Sequence, residues 1–242
     1  MKFSSRLSLW GIAIATSLLP IIIATPSSVA AATMTGTCGS NLICVQTFGK
    51  QQIDVRVASL NTLIATVQTH AYLTDAQKNV IQNDLKSSIP GLQALEKQLM
   101  GETVIANARD DVHAIYANFR IYAIVLPRDS HEVWLDHLSN LHDNLVAGEP
   151  TINQAIQAAS NKGINVTQEQ AQDADLVAKV SDAGTQITSA QNLVASLIPA
   201  NYPATNQTLT TMRAEMKVAD TDLGSAAKDL HQITQELEAA GA

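Results

Sequence analysis

Apolar residues recur along most of this chain at the spacing of one helix face. Ile53, Val57, Leu60, Ile64 and Val67 step 4-3-4-3, the seam pattern of a helix packed lengthwise against others. They predict a helix over about 47–71. Ile81, Leu85, Ser88, Leu92, Leu95 and Leu99 predict a second, over about 75–100, with Thr74 placed to cap its start. Pro90-Gly91 falls inside that span. Proline lacks the amide donor and crowds the preceding turn, so a kink or short break is expected there. A third stripe, from a start near Glu102-Thr103, runs Ile105, Ala108, Val112, Ile115, Phe119, Tyr122 and Leu126.

The third stripe ends in Phe119–Pro127, the most apolar run outside the extreme N-terminus. Around Arg120 the apolar face widens to take in Ile121, Ile124 and Val125. A helix apolar nearly all round has to be contacted from several sides, which places this run centrally. After Pro127 the helix either stops and restarts, with Asp129 as cap, or continues with a kink to about Ala147; the kinked helix is the reading adopted. Leu126 and Trp134 are eight residues apart, so the register shifts at the proline before Leu138, Leu141 and Leu145 resume.

Gly148-Glu149-Pro150 reads as a break, followed by a short helix over about 151–161 that Gly163 closes. Thr167 and Gln170 have capping-box spacing. Leu176, Val180, Ala183, Ile187, Ala190, Val194 and Leu197 then define a helix over about 168–198. Leu209, Met212, Met216, Ala219, Leu223, Ala226, Leu230, Ile233 and Leu237 define a last one over about 205–239. Two such helices joined across Pro199–Pro203 predict a long antiparallel hairpin, each arm about 45–50 Å. The fold expected is all-α: an elongated antiparallel bundle with coiled-coil-like heptad packing. Residues 47–147 supply its N-terminal helices and 148–242 its C-terminal ones, within one continuous domain.

The N-terminus changes the setting. Lys2 and Arg6 precede an apolar stretch, Leu7 to Ala24, and small residues follow at Ser28, Ala30, Ala31 and Ala32. Residues 1–31 therefore read as a secretory signal peptide, the alternative being a retained membrane anchor. Once it is removed, no stable membrane span is expected. A linker, 32–46, carries Cys38 and Cys44, the chain's two cysteines. In an exported protein they are expected to form a local disulfide, with a reduced pair or a metal half-site as alternatives.

Without Lys2 and Arg6 the chain has 13 basic and 22 acidic residues, a formal charge of −9. That balance, with no basic cluster, argues against nucleic acid and anionic membrane surfaces as partners. Aromatics are 4% and charged residues 15%, a balance suited to long helices rather than to a sandwich or barrel.

Three segments carry a resemblance. They are Leu73-Thr74-Asp75-Ala76-Gln77, Ile89-Pro90-Gly91-Leu92-Gln93-Ala94-Leu95 and Phe119-Arg120-Ile121-Tyr122-Ala123-Ile124-Val125-Leu126-Pro127, with Ile198-Pro199-Ala200-Asn201-Tyr202-Pro203 further on. The chain resembles a group of exported, all-helical bacterial proteins usually labelled hypothetical. The resemblance implies helical fold and export, and brings no activity, cofactor or catalytic residue.

Chemistry is sparse. His131, His137 and His142 share a segment with Glu132, Asp136 and Asp143, but no two histidines have the one-turn spacing of a helical metal site. They read as a polar face, and neither a metal nor another cofactor is expected. His113, Tyr116, Arg120, Tyr122, His131 and Trp134 form a candidate internal polar cluster around the apolar run. Arg120 would pair with a carboxylate of another helix, a structural ion pair that fixes register. No G-x-S-x-G, phosphate loop or dinucleotide fingerprint occurs. The expected function is therefore a non-enzymatic scaffold or protein-interaction module of the cell envelope or extracellular space, acting on a protein partner or by self-association. The alternative is a small-ligand or metal carrier with a pocket near Pro127, lined by Phe119, Tyr122 and Trp134.

Overall fold

The computed structural model describes residues 38–241. The expected signal peptide and the first part of the linker lie outside them. Among the described residues there are six α-helices and no strand: α1 Leu42–Thr69, α2 Asp75–Gly101, α3 Ile105–Ala117, α4 Leu126–Asn161, α5 Thr167–Val194 and α6 Thr205–Ala239. A π-helical turn, Ile121–Val125, leads into α4, and a short 3-10 turn, Pro199–Asn201, lies between α5 and α6. The all-α expectation holds.

Three apolar cores line up along α4. The first joins α1, α2 and α3 to Ile121, Val125, Leu126 and Val133. The second joins Ile124, Leu135, Leu138 and Leu145 to the stripes of α5 and α6. The third closes Ile152, Ile156 and Ala159 against Val166, Ile233 and Leu237. Phe119–Pro127 is thus apolar on several sides because it serves two cores at once. The eight-residue spacing from Leu126 to Trp134 has the same cause: Leu126 belongs to the first core and Trp134 packs on the second. Cross-helix bonds set the directions. Gln168–Glu236, Lys179–Asp229 and Ser189–Glu215 run antiparallel along α5 and α6. Ser139–Gln191 and Asn153–Asp173 do the same for α4 and α5.

The helix ends follow local chemistry. The Asn41 side chain accepts from the Cys44 amide at 3.1 Å, so α1 starts at Leu42 rather than near 47. Cys44 therefore lies in the first helical turn, not in a linker, and is disulfide-bonded to Cys38 as expected. Thr74 and Gln77 form the expected capping box at the start of α2. At its other end Gln46 donates to the carbonyls of Leu99 and Glu102, at 3.0 and 2.9 Å. The Leu99 carbonyl also accepts from the Glu102 amide at the helix end, at 3.3 Å.

Several boundaries differ from expectation. α2 passes Pro90 without a break. Phe119 packs onto Gly91, where a Cβ would stand 2.8 Å from its ring. α3 begins at Ile105, later than Glu102-Thr103, and ends at Ala117. The discontinuity is at Arg120, whose φ of 47° is left-handed, and not at Pro127. Pro127 sits in the first turn of α4, where no intrahelical donor is needed.

Gly148-Glu149-Pro150 does not break the chain, and the short helix over 151–161 is the end of α4. Burial of Ile152, Ile156 and Ala159 outweighs the poor local propensity of glycine and proline. A division of the chain at 147/148 therefore cuts no structural boundary. Gly163 has the expected left-handed φ, 83°. Thr167 makes no capping box; the Asn165 side chain accepts from the Thr167 amide instead.

Candidate functional site

The polar groups of the interior gather where the first and second cores meet. Arg128, in the first turn of α4, holds three elements together. Its Nε donates to Asp129 Oδ1 at 2.6 Å, its Nη2 meets the Asp84 carboxylate of α2, and its Nη1 donates to the Leu197 carbonyl after α5 at 3.3 Å. Asp129 is fully buried, and its second oxygen has no partner among the described residues. Burial pushes its carboxyl up to about 7 although Arg128 favours the charged form. Removal of a charge from water outweighs one attractive neighbour here.

One turn further along α4 lies a second centre. Arg213 of α6 donates from Nε to His131 Nε2 at 2.6 Å, which requires an unprotonated acceptor nitrogen. Burial first, and the Arg213 charge second, pull His131 down to about 4, so it is neutral at pH 7. The His131 and Trp134 rings are 6.4 Å apart. The Trp134 indole nitrogen is buried without a partner among the described residues. On the far side of α4 the Tyr72 ring stands 4.6 Å from His137 and 5.9 Å from His70. Burial lowers both histidines; Asp220 opposes the shift at His137.

The third centre lies in the first core. Arg56 of α1 stands between Tyr116 and Tyr122, its guanidinium carbon 4.5 and 5.0 Å from the ring centroids. Burial lowers Arg56 from its ordinary value and raises Tyr116.

The six residues expected to form one polar cluster are thus dispersed. Tyr116 and Tyr122 flank Arg56, and His131 and Trp134 belong to the Arg213 centre. Arg120 lies over the Tyr202 ring at 4.2 Å, and His113 is exposed. The ion pair expected at Arg120 is made by Arg128. The lining proposed for a pocket at Pro127 does not converge either: Phe119 and Tyr122 pack on the first core, Trp134 on the second. Among the described residues no three His, Cys, Asp or Glu side chains are grouped so as to hold a metal, and no helix is long and apolar enough to cross a membrane.

A stripe of apolar residues alone does not mark Arg56 and Asp129 as interior groups. The signal was in the spacing. Ile53, Arg56, Leu60, Leu63 and Val67 step 3-4-3-4, and Leu126, Asp129 and Val133 step 3-4, so each charge stands at a core position. Asp129, expected as a cap, is instead the buried partner of Arg128. No protein-family model, curated protein or solved structure matches this chain.

Proposed function

We propose that the chain is an exported, non-enzymatic helical scaffold, presenting its helix faces to a protein partner or a second copy in the cell envelope or outside the cell. The carrying observation is α4: 36 residues, about 54 Å, pass unbroken through all three cores. Rigid spacing of distant surfaces is what such a helix supplies. The Arg128 centre supports the reading, since its charges are engaged with one another across α2, α4 and the end of α5. We read the α5–α6 seam, with alanine at alternate positions, as coiled-coil-like packing. The signal-like N-terminus and the disulfide support export.

A photo-crosslinker at exposed Val177 of α5 or Val218 of α6, in intact cells, tests this. A discrete adduct in the exported fraction is expected, lost when an exposed neighbour of the crosslinker on the same helix face, such as Ala214 beside Val218, is replaced by Asp. A chain retained unprocessed in the cytoplasm would overturn export. Absence of any adduct from exposed positions on all six helices would overturn the interaction reading.

A further inference from the structure

The buried face of α1 gives a core position to a cation. Arg56 is 5% exposed, between Ile53 and Leu60. Its Nη1 donates to the Gln52 carbonyl and side-chain oxygen, at 2.8 and 3.0 Å. Its other nitrogens make no hydrogen bond to the described residues, and no carboxylate among them lies within ion-pair distance. Arg128 differs, since it has two carboxylates. Burying a cation without a counter-charge is costly, and interior charges are ordinarily paired. The two tyrosine faces offset part of that cost by cation–π attraction.

One hydroxyl beside Arg56 is a donor with nothing to donate to. The Tyr116 hydroxyl is buried and makes no hydrogen bond among the described residues. A phenol is protonated at neutral pH, and burial raises this one further, so it can donate. The Tyr122 hydroxyl and Ser59 Oγ are 3.0 Å apart, and both reach the Val55 carbonyl, at 3.4 and 2.9 Å, so their protons are already engaged. Gln52, Ser59, Tyr116 and Tyr122 are each half-buried, so the cluster reaches the surface between α1 and the start of the π-helical turn. The two rings lie against the guanidinium, and its Nε and Nη2, which no carbonyl or carboxylate of the described residues engages, are left for a ligand.

We propose that Arg56, with the Tyr116 hydroxyl, binds a small oxyanion group, a carboxylate or phosphate, which supplies the counter-charge missing from the fold. The planar guanidinium fork matches two oxygens of such a group and has no equivalent fit to chloride.

The test uses the full chain with its disulfide intact. Sodium acetate, sodium phosphate and sodium chloride are titrated separately at constant ionic strength, with the Arg56 Nε–H resonance and the thermal midpoint as readouts. A saturable shift of that resonance at millimolar anion, with a rise in midpoint, is expected for acetate, phosphate or both, and none for chloride. Response to acetate alone identifies a carboxylate ligand, and to phosphate alone a phosphorylated one. Tyr116→Phe, which keeps the Arg56 charge, should weaken binding about five-fold. Arg56→Gln should abolish it wherever that variant folds. An unmoved Arg56 resonance, a shift equal in all three salts, or unchanged affinity in Tyr116→Phe would overturn the site and leave a purely structural cation–tyrosine stack.

Discussion

The first and second cores reach equal burial by opposite means. The first is filled by large side chains: Leu60, Ile81, Leu85, Leu92, Leu99 and Ile115 are fully buried. Its helix ends are fastened by Asn41, the Thr74–Gln77 box, Gln46 and the disulfide. The second alternates larger residues with Ala183, Ala190, Ala219 and Ala226, all buried. There α5 and α6 start without side-chain caps at the capping residue and are tied by surface pairs such as Lys179–Asp229. In one core side-chain volume holds the helices apart; in the other small residues let backbones approach. The locks sit on α1 and α2, whereas α3, the shortest helix, starts without a side-chain cap, as α5 and α6 do.

Arg128 is where the two designs meet, so its loss should have the largest effect. Arg128→Met leaves Asp129 buried without its partner and frees Asp84, at a cost of about 4 kcal/mol in chemical denaturation. The loss should be smaller in mild acid, where Asp129 takes up a proton. Adding Asp129→Leu should restore much of the stability, since an apolar pair avoids desolvating either charge. A double variant no more stable than Arg128→Met would show that the pair does more than satisfy itself.

Core filling can be tested in both directions. Leu92→Ala in the first core should cost about 3 kcal/mol through the void it leaves. Ala219→Leu in the second should cost about 2 kcal/mol, by forcing α5 and α6 apart. Denaturant midpoints measure both. A neutral Ala219→Leu would mean that the seam has spare volume and that alanine does not set the spacing.

These contrasts also explain what could be read from sequence. The α5 and α6 stripes were legible nearly residue by residue, with Leu197 falling just past the end of α5, whereas in α1 Arg56 and Leu63 are buried where Val57 and Ile64 are only partly so. Thr74 and Gly163 were legible because capping and left-handed closure are local. The break at Arg120 was not, since nothing near it in sequence forbids helix; the need to feed two cores decides it. Gly148-Glu149-Pro150 failed the other way, with a local signal overruled by burial of Ile152 and Ile156. The polar centres were illegible for a third reason. Arg56 meets Tyr116, and Arg128 meets Asp84, across distances in the chain that spacing along one helix does not encode.

The junction should also carry opposed pH dependences. His131 falls from an ordinary 6.5 to about 4 on folding, so its contribution is intact above pH 6.5 and is lost as pH drops towards 4. Asp129 rises from an ordinary 3.8 to about 7, so the folded state gains stability as pH drops from 7 towards 4. Between pH of about 7 and about 5 the two partly cancel. Relative to the natural chain, His131→Gln should become progressively more stable over that interval, and Asp129→Asn progressively less. Thermal midpoints at several pH values read the two slopes, and parallel curves for all three proteins would rule out titration at this junction.

The smallest effect tests the segment that joins the second core to the third. Gly148 lies inside α4 with no atom within 4 Å of where a Cβ would be. In a continuous helix Gly148→Ala removes backbone entropy from the unfolded chain and clashes with nothing. It should stabilise by about 0.5–1 kcal/mol, a rise of a few degrees in midpoint. If the chain instead turned at Gly148-Glu149-Pro150, with the glycine in a left-handed conformation, the same substitution would destabilise. The sign, more than the size, therefore distinguishes one unbroken α4 from two helices. A midpoint that falls would detach the third core from the first two and remove the rigid spacing on which the scaffold reading rests.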